Sequence, residues 1–302
     1  MHRRQILMGG ALAGAALSMT DGAHAAAPAK ARKPGPVFAK DGTSLFVRDW
    51  GSGQPIVFLA GWTLTSEAWA YQMASLSEAG FRCVAYDRRG HGRSGDPGGG
   101  YDYDTLADDL ASVLDALDLR GVTLVAHSMA GGEAVRYMTR HGKSGRVKKI
   151  LFLATTLPCL SQTSDNPTGV PPAYFDQMRQ QFATDFPKWI DDNSEPFVVP
   201  ATSPLMRTWI KDLMLSASLQ AAIALNKAMT GSDFRAELAK LSVPSLYIHG
   251  DKDASAPLPI SGKPAAAATP GSRLVVYEGA PHGLFVTHVP RLNADIAAFA
   301  MG

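Results

Sequence analysis

From residue 44 to the end of the chain, short apolar runs alternate with longer stretches of helical periodicity. A nearly continuous apolar run of about four to eight residues is typical of a strand that is buried on both faces of a sheet. Strands separated by amphipathic helices favour parallel pairing, with helices covering both faces. The sequence therefore predicts an α/β fold with a mostly parallel, doubly wound sheet. The seven predicted strands are 44–50, 55–59, 81–86, 122–127, 147–154, 245–249 and 274–277.

The clearest helix is predicted over residues 104–117. Apolar residues recur at offsets of 4, 7, 8 and 11 from Leu106, and these offsets place them on one face of a helix. Asp104 precedes this face, and aspartate is a preferred N-cap because its carboxylate accepts a hydrogen bond from a free backbone N–H group. We therefore expect Asp104 to cap this helix.

The spacing of the strands changes once, after the fifth predicted strand. About ninety residues follow it without a further strand, and they contain two helical stretches, 173–190 and 204–228. An insertion at this point predicts a helical lid over 157–243, above the carboxyl ends of the strands, where open α/β sheets bind ligands. The core would then comprise 37–156 and 244–302. The large apolar residues of the lid either line a pocket or form its own packing face: Met178, Phe182, Phe186, Trp189, Met206, Trp209 and Met214.

The N-terminal segment combines Arg3 and Arg4 with a mildly apolar run and an A-x-A sequence at 23–25. A charged start, a short apolar stretch and a small-residue cleavage site are typical of a secretory signal peptide, and the two arginines resemble a twin-arginine signal. We therefore predict a signal peptide over 1–25, a Pro/Ala/Lys-rich linker over 26–36, and a periplasmic or secreted protein. The alternative is a helical tail on a cytosolic protein.

The composition excludes several classes of partner and site. The formal net charge of 302 residues is only +2, so the chain has no basic field that would recruit nucleic acid. Past residue 30 no apolar run approaches the length of a membrane span, and none is expected in the mature chain. No Cys/His cluster has metal-ligand spacing, and no metal or cofactor is predicted. Cys83 and Cys159 lie in different predicted elements and are expected to be unpaired.

The fourth predicted strand runs directly into a turn of small residues. Ser128 follows it, with Ala126 and Ala130 two residues away on either side, and a helical pattern runs from Glu133. This layout is typical of a strand–turn–helix in which a serine hydroxyl projects from the tip of a sharp turn, as in the G-x-S-x-G pattern. In this sequence the two glycine positions of that pattern are occupied by alanines. Ser128 is therefore the candidate nucleophile, and the alternative is an ordinary turn serine. His127 is expected to pack beside it.

Two later segments supply the partners that a serine nucleophile needs, a base and an acid that orients the base. His282 lies in the Gly279–Gly283 turn directly after the seventh strand, and Asp251 and Asp253 follow the sixth. Because the carboxyl ends of parallel strands meet at one edge of a sheet, these loops are expected to converge on Ser128. The acid is either Asp251 or Asp253. Asp251 is expected to cap its own turn, and Asp253 is better placed to reach the imidazole.

An oxyanion formed at Ser128 requires two N–H donors. The backbone of Met129, the residue after the serine, is one candidate. The loop after the second strand supplies the other, and we expect it to be the Trp62 N–H, because Gly61 lets the backbone approach closely. The Trp62 indole would then form a wall of the acyl pocket. The alternative is that this indole contributes only to the core.

The run DRRGHGRSG at 87–95 is rich in glycine and follows the third strand. It matches neither the dinucleotide-binding pattern nor the P-loop, and no P-loop lysine and hydroxyl pair follows it. We therefore predict a structural turn here rather than a phosphate site.

Taken together, these motifs resemble the α/β-hydrolase superfamily. The motifs are Gly61-Trp62, DRRGHGRSG, the serine turn followed by Gly131-Gly132-Glu133, HGDKD at 249–253 and YEGAPHG at 277–283. The resemblance is greatest to the cofactor-free bacterial haloperoxidases, also described as arylesterases and perhydrolases. It implies Ser128, Asp253 and His282 as the catalytic triad, with backbone donors at Trp62 and Met129. This sequence departs from the family at Ala60, where a histidine usually precedes Gly-Trp, and at Ala126 and Ala130.

The activity that this resemblance implies is hydrolysis of small-molecule carboxylic esters through an acyl-enzyme, without a metal or cofactor. Peroxide in place of water would give a peracid, which oxidises halide as a side reaction. A lactonase or C–C bond hydrolase would use the same triad and remains an alternative. A second alternative is a non-catalytic small-molecule-binding protein on a hydrolase fold, whose expected signature is a missing triad member.

Overall fold

A seven-stranded sheet forms the centre of the protein in the computed structural model, which describes residues 35–302. The predicted signal peptide and nearly all of the predicted linker lie outside these residues. The strands are β1 Val37–Phe38, β2 Ser44–Leu45, β3 Val47–Gly51, β4 Pro55–Leu59, β5 Arg82–Tyr86, β6 Val122–His127, β7 Val147–Leu153, β8 Ser245–Gly250 and β9 Arg273–Tyr277. The helices are α1 Ala70–Glu78, α2 Tyr103–Ala116, α3 Ala130–His141, α4 Pro172–Asn193, α5 Pro204–Leu215, α6 Leu219–Gly231, α7 Arg235–Leu238, α8 Gly262–Ala268, α9 Leu284–Thr287 and α10 Val289–Met301.

The strand order in the main sheet is β3-β5-β4-β6-β7-β8-β9. Only the edge strand β3 is antiparallel to its neighbour, and every other pairing in this sheet is parallel. The predicted α/β class is therefore confirmed. The predicted strand 44–50 is divided at Phe46, since β2 pairs with β1 in a separate two-stranded sheet. Leu59 at the end of β4 pairs with Ala126, so the loops that follow β4 and β6 emerge side by side.

Alternate residues of the central strands pack on opposite faces of the sheet, as the period of two requires. Val57 and Leu59 belong to one buried cluster, together with residues of α2, α3 and α8. Ile56 and Phe58 belong to the other, together with residues of α1, α10 and the long segment between β7 and β8. Both faces are thus covered, which explains why the central strands carry almost continuous apolar runs.

The start of α2 corrects one prediction. Asp102, not Asp104, is the N-cap: its side chain accepts a hydrogen bond from Thr105 N at 2.8 Å. Asp102 has extended backbone angles, as an N-cap residue does, whereas Asp104 lies inside the first turn. The carboxylate of Asp104 instead pairs with Arg136 and with Arg140 on α3.

The segment between β7 and β8 contains α4, α5, α6 and α7, with a short 3₁₀ helix at Glu195–Phe197. The predicted helical stretch 204–228 is divided into two helices, because the chain turns between α5 and α6 and Ser218 caps α6 by accepting a hydrogen bond from Ala221 N. Helix α4 bends at Asp185, which has non-helical backbone angles and precedes Pro187. Helices α4 and α5 pack into the same buried cluster as Ile56 and Phe58, α6 contributes residues to both clusters, and Leu238 of α7 belongs to the other cluster.

Two further observations concern the part of the chain that the structure describes. No helix between residues 35 and 302 is long and apolar enough to cross a membrane. Cys83 and Cys159 are both buried free thiols. Burial raises the pKa of both thiols, which makes them poor nucleophiles.

Candidate active site

Ser128 occupies the sharp turn between β6 and α3. Its φ angle of 57° lies in the left-handed region, which residues other than glycine seldom adopt. The Ser128 N–H donates to Leu153 O at 2.9 Å, and this bond ties the turn to the end of β7. Helix α3 begins two residues later, so its N-terminus faces the space around the hydroxyl. The strand–turn–helix predicted from the sequence is therefore present, with the strained residue at its tip.

The structure brings His282 to Ser128 across 154 residues of chain. His282 Nε2 lies 2.9 Å from Ser128 Oγ, and both residues are about 5% exposed or less. His282 Nδ1 lies 2.7 Å from Asp253 Oδ2. Because a carboxylate only accepts, Nδ1 carries the proton in the neutral imidazole, and Nε2 is free to accept the serine proton. This arrangement suits His282 to act as a base toward the hydroxyl.

Asp253 is held by partners on both of its oxygens. Oδ1 accepts hydrogen bonds from Ser255 N at 2.9 Å and Ala256 N at 2.7 Å. Oδ2 faces His282 Nδ1 and also lies 3.2 Å from His249 Nε2. Burial raises the pKa of this carboxyl, but His282 and His249 outweigh burial and hold the pKa below its ordinary value. Asp253 is therefore ionised at neutral pH although it is buried.

Asp251, the other candidate acid, takes a different position. Its Oδ1 accepts a hydrogen bond from Gly279 N at 2.7 Å, and its own N–H donates to Tyr277 O. The residue is exposed and is not among the hydrogen-bond partners of His282. The sequence predicts that Asp251 caps its own turn by accepting backbone N–H groups. Its carboxylate instead accepts the N–H of Gly279, in the neighbouring loop that leads into His282.

His127 packs beside the serine, as predicted. Its Nε2 lies 3.2 Å from the backbone oxygen of His282, and the two imidazole centroids are 4.7 Å apart. Burial, and then the charge of His282, lower the pKa of His127 well below its ordinary value. The ring is therefore neutral at physiological pH and supports the backbone of the base.

The Gly61-Trp62 loop lies against the serine turn. A Cβ atom on Gly61 would lie 2.6 Å from His127 Nδ1 and 3.2 Å from Ser128 Cβ, so only glycine permits this approach. Within residues 35–302, neither the Trp62 N–H nor the Met129 N–H donates to a backbone acceptor among the loop and turn hydrogen bonds. Both amides predicted as oxyanion donors are thus free of backbone acceptors in that set, and the two segments that carry them meet where Gly61 lies against Ser128.

The Trp62 indole links this loop to the segment between β7 and β8. Its Nε1–H donates to Ala222 O at 2.8 Å. The ring packs on Phe182, Phe186 and Trp189 of α4, with centroid separations of 5.1, 6.0 and 5.7 Å. Three of the seven large lid residues named from the sequence, Phe182, Phe186 and Trp189, therefore pack on one another and on Trp62, as the alternative of a packing face requires.

The same segment also reaches the loop that carries His282. Phe197 O accepts a hydrogen bond from Gly283 N at 2.8 Å, and the Phe197 ring lies 5.4 Å from the His282 ring. A Cβ atom on Gly283 would approach Phe197 O within 2.6 Å, which explains the glycine after the histidine. The inserted helices thus contact both sides of the site.

Comparison with known proteins agrees with this geometry. Residues 54–289 match the family model of the alpha/beta hydrolase fold. The chain belongs to the alpha/beta hydrolase family. A non-heme chloroperoxidase of Kitasatospora aureofaciens is 38% identical over 270 residues, which cover 86% of this chain and 97% of that protein. A bifunctional esterase/perhydrolase of Acinetobacter calcoaceticus is 35% identical, over 88% of this chain and 99% of that protein.

A solved structure shows the same relation. The esterase of Exiguobacterium antarcticum superposes with a TM-score of 0.85 and 32% identity, over 88% of this chain and 99% of that one. The resemblance inferred from the motifs is therefore confirmed, both for the hydrolase family and for its haloperoxidase and perhydrolase branch. The departure at Ala60 leaves a small buried residue at the end of β4 in this hydrolase.

Sequence reasoning missed the role of His249 in this hydrolase. Its Nε2 lies 2.7 Å from Ala256 O as well as 3.2 Å from Asp253 Oδ2, so Nε2 carries the proton and points at both oxygens. His249 Nδ1 is buried next to Gly262 and has no hydrogen-bond partner in the described part of the chain. The only signal in the sequence was the position of His249 at the end of a strand, four residues before Asp253.

The DRRGHGRSG run is a structural turn, as predicted. The Asp87 carboxylate closes it by accepting hydrogen bonds from Ser66 N at 2.8 Å and Arg93 N at 2.9 Å. The next residue, Arg88, is buried and pairs with Glu133 on α3. Burial lowers the pKa of Arg88, but Glu133 together with Tyr86 and Tyr103 outweighs burial, so the net shift of the pKa is upward and the guanidinium stays charged. The glycine-rich pattern gave no indication of this pair.

Proposed function

We propose that this hydrolase cleaves carboxylic esters through an acyl-enzyme on Ser128. The observation that carries the proposal is the hydrogen-bonded chain from Ser128 through His282 to Asp253. A ligand-binding protein without activity would not require this chain. The names of the relatives, which include an esterase and an esterase/perhydrolase, support the same chemistry.

In the proposed reaction, Ser128 Oγ attacks the acyl carbon while His282 Nε2 takes the hydroxyl proton. Asp253 stabilises the imidazolium that forms and keeps the ring in the orientation set by Nδ1. The negative charge on the former carbonyl oxygen is stabilised by the Trp62 and Met129 N–H groups and by the N-terminus of α3. His282 then returns its proton to the departing alcohol, which leaves the acyl group on Ser128.

The second half of the reaction uses the same residues. His282 removes a proton from water, the hydroxide attacks the acyl carbon, and Ser128 leaves with the proton as the carboxylic acid forms. Hydrogen peroxide can replace water in this step and yields a peracid. The peracid then oxidises halide to hypohalous acid and returns to the carboxylic acid. The names of the chloroperoxidase and perhydrolase relatives support this side reaction.

We propose that residues 157–243 act as a lid over a core formed by 37–156 and 244–302. The contacts of α4 with Trp62, and of Phe197 with His282, support this role. Trp62 follows Gly61, which lies against Ser128, and His282 is hydrogen-bonded to the Ser128 hydroxyl. Separation of α4 from Trp62 would open a path to Ser128.

We also propose that the protein is exported, with residues 1–25 as the signal peptide. The support is the sequence pattern of two arginines, a mildly apolar run and the A-x-A site. Mass spectrometry of the protein recovered from its native host would show a chain that begins near Ala26. An intact chain in the cytosol would contradict export.

The central test is covalent labelling. A chromogenic phosphonate should add one phosphonyl group to the protein, and peptide mass mapping should place it on Ser128. Ser128→Ala and His282→Ala should each abolish turnover of a nitrophenyl ester, and the double variant should be little worse than either single variant, since the residues act as a unit. Additive losses in log rate, or turnover that survives Ser128→Ala, would remove this assignment.

A further inference from the structure

Arg88 lies between the two segments that carry the proposed oxyanion donors. Its side chain is 3% exposed. On one side, Nη2 donates to Ala60 O at 2.7 Å and Nη1 to Gly61 O at 3.4 Å. On the other side, Nε donates to Glu133 Oε2 at 2.9 Å, and Glu133 is fully buried in the first turn of α3. One guanidinium thus connects the loop after β4 with the helix after Ser128.

We propose that Arg88 is a positioning residue that aims the Trp62 N–H at the oxyanion by fixing the Gly61–Trp62 peptide against α3. The inference rests on the proposed function, because it assigns a support to the oxyanion donors of the same site. Arg88 touches no reacting atom in this arrangement and acts through the peptide that it holds.

The planarity of the peptide bond is what transmits this effect. The Gly61 carbonyl and the Trp62 N–H belong to one rigid planar unit and point in opposite directions. A donor that fixes the carbonyl therefore also fixes the direction of the N–H. The Leu64 N–H donates to the same carbonyl at 3.2 Å, so Gly61 O is held from two sides.

Arginine is suited to this bridge and lysine is not. A guanidinium presents five N–H donors in a planar fork, whereas an ammonium presents its donors from a single nitrogen. Tyr86 donates its hydroxyl to the second oxygen of Glu133, so the carboxylate that anchors the guanidinium is itself fixed. Removing one partner of a buried ion pair destabilises a protein, because the remaining charge is buried without compensation. A loss of stability alone therefore does not distinguish a positioning role for Arg88 from a structural one, and kcat must be measured beside it.

The neighbouring residue provides a matched control. Arg89 is 2% exposed and forms a bidentate pair with Asp109 on α2, with distances of 2.6 and 2.7 Å. Its remaining partners are Asp41 and Gly99, and none of them lies in the Gly61-Trp62 loop. Arg88 and Arg89 thus share residue type, burial and a paired carboxylate, and they differ in contact with the loop.

The experiment compares Arg88→Lys with Arg89→Lys in the full chain. Three properties are measured: the urea midpoint of unfolding, the kinetic constants kcat and KM for a nitrophenyl ester, and inhibition by phenylboronic acid, whose tetrahedral serine adduct mimics the oxyanion.

Loss of one oxyanion donor lowers kcat by a factor of roughly 10²–10³. We expect Arg88→Lys to misalign the donor, and so to lower kcat and boronic acid affinity together by about 10-fold or more, with little change in KM. Arg89→Lys should lower the urea midpoint and leave both other quantities near wild type.

Glu133→Gln is the second variant, since it keeps the side-chain shape but removes the charge that anchors the guanidinium. Glu133→Gln should reduce kcat and boronic acid affinity by similar factors. If Arg88→Lys does not fold, Glu133→Gln alone tests whether Arg88 positions the oxyanion donor. The inference is overturned by either of two variants, Glu133→Gln or a folded Arg88→Lys. It fails if such a variant has a lower urea midpoint but the same kcat and boronic acid affinity as Arg89→Lys.

Labelling of the wild-type protein separates this inference from the proposed function. Without a phosphonate adduct on Ser128 the proposed function fails, whereas a normal adduct with unaffected variants removes only the role of Arg88.

Discussion

At the scale of single residues, the two oxygens of Asp253 have separate partners. Oδ1 accepts two backbone N–H groups, and Oδ2 accepts the proton of His282 Nδ1. In Asp253→Asn the amide oxygen would take the Oδ1 position, because only an acceptor satisfies both backbone donors. The NH₂ group would then face His282 Nδ1 and force the proton onto Nε2. An imidazole in that tautomer cannot accept the proton of Ser128.

We therefore expect Asp253→Asn to lower kcat far more than Asp251→Asn does. The corresponding change in a serine protease costs about 10⁴ in kcat. Asp251→Asn keeps an oxygen that can accept the Gly279 N–H and should act mainly on stability, by about 1 kcal/mol or less. Steady-state kinetics and urea unfolding of the two variants test this ranking. The reverse order would move the acid of the triad to Asp251.

The residues of the candidate site were predictable to different degrees. Ser128, Asp253 and His282 each follow a strand within a few residues, so the parallel sheet alone brings them to one edge. Arg88 and His249 could not be assigned in this way, because their contacts depend on how side chains of distant segments pack. The exchange of Asp104 for Asp102 as the α2 cap is a local error, since two aspartates lie two residues apart and either can accept the hydrogen bond.

At the scale of elements, the turn from β6 to α3 depends on Gly131 and Gly132. Ala126 lies in β6 and Ala130 is the first residue of α3, so the alanines occupy regular structure and only Ser128 is left-handed. A Cβ atom at Gly131 would lie 2.3 Å from Thr155 Oγ1, and one at Gly132 would lie 2.7 Å from the Tyr103 ring. The positions at which only glycine fits are therefore Gly131 and Gly132, which follow the residues of the G-x-S-x-G pattern.

We expect Gly131→Ala to destabilise the protein and Ala130→Gly to have a small effect. Overpacking of a buried site costs about 1–3 kcal/mol, whereas alanine to glycine in a helix costs roughly 0.5–1 kcal/mol. Thr155→Ala removes the atom that the new methyl would meet, so the double variant Gly131→Ala/Thr155→Ala should recover part of the loss. Urea unfolding of the four variants measures this coupling. If Gly131→Ala were as stable as the wild type, α3 would have to move away from Thr155 at no cost in stability, and the prediction would be wrong.

Strands were predicted more accurately than the inserted helices. A strand buried on both faces is a continuous apolar run with polar ends, and its limits are visible in the sequence. The break between α5 and α6 falls at Ser216-Ala217-Ser218, which contains neither glycine nor proline. Such residues are tolerated within helices, and only tertiary contacts, such as the donation of Ser218 N to Gly90 O, select the turn.

At the scale of the whole molecule, the candidate site lies between the sheet and the inserted helices. Ser128 and His282 are 5% and 4% exposed, with Trp62 and α4 on one side and Phe197 on the other. If the inserted helices act as the proposed lid, water, peroxide and the acyl donor reach the serine where the core meets these helices. The choice between the two nucleophiles depends on how much water the closed site admits.

This arrangement gives a prediction about halide oxidation. In the proposed mechanism an acyl group on Ser128 is captured by peroxide or by water, and His282 and the same oxyanion donors act on both nucleophiles. Peroxide is the better nucleophile, while water is far more abundant. Halide oxidation should therefore require both peroxide and a carboxylate or ester acyl donor, since the peracid is the oxidant. It should disappear in Ser128→Ala together with ester hydrolysis, and it should persist when a metal chelator is present.

Monochlorodimedone bromination, measured with and without acetate, tests the acyl requirement, and Ser128→Ala is the matched control. Bromination that survives in Ser128→Ala, or that stops on addition of the chelator, would contradict the acyl-enzyme route. Strong ester hydrolysis without peracid at any peroxide concentration would keep the esterase and remove the perhydrolase activity. In that case Trp62 would be the first residue to change, because it follows Gly61, which lies against Ser128. Replacing Trp62 with a smaller residue should then alter the ratio of peracid to acid more than it alters ester hydrolysis.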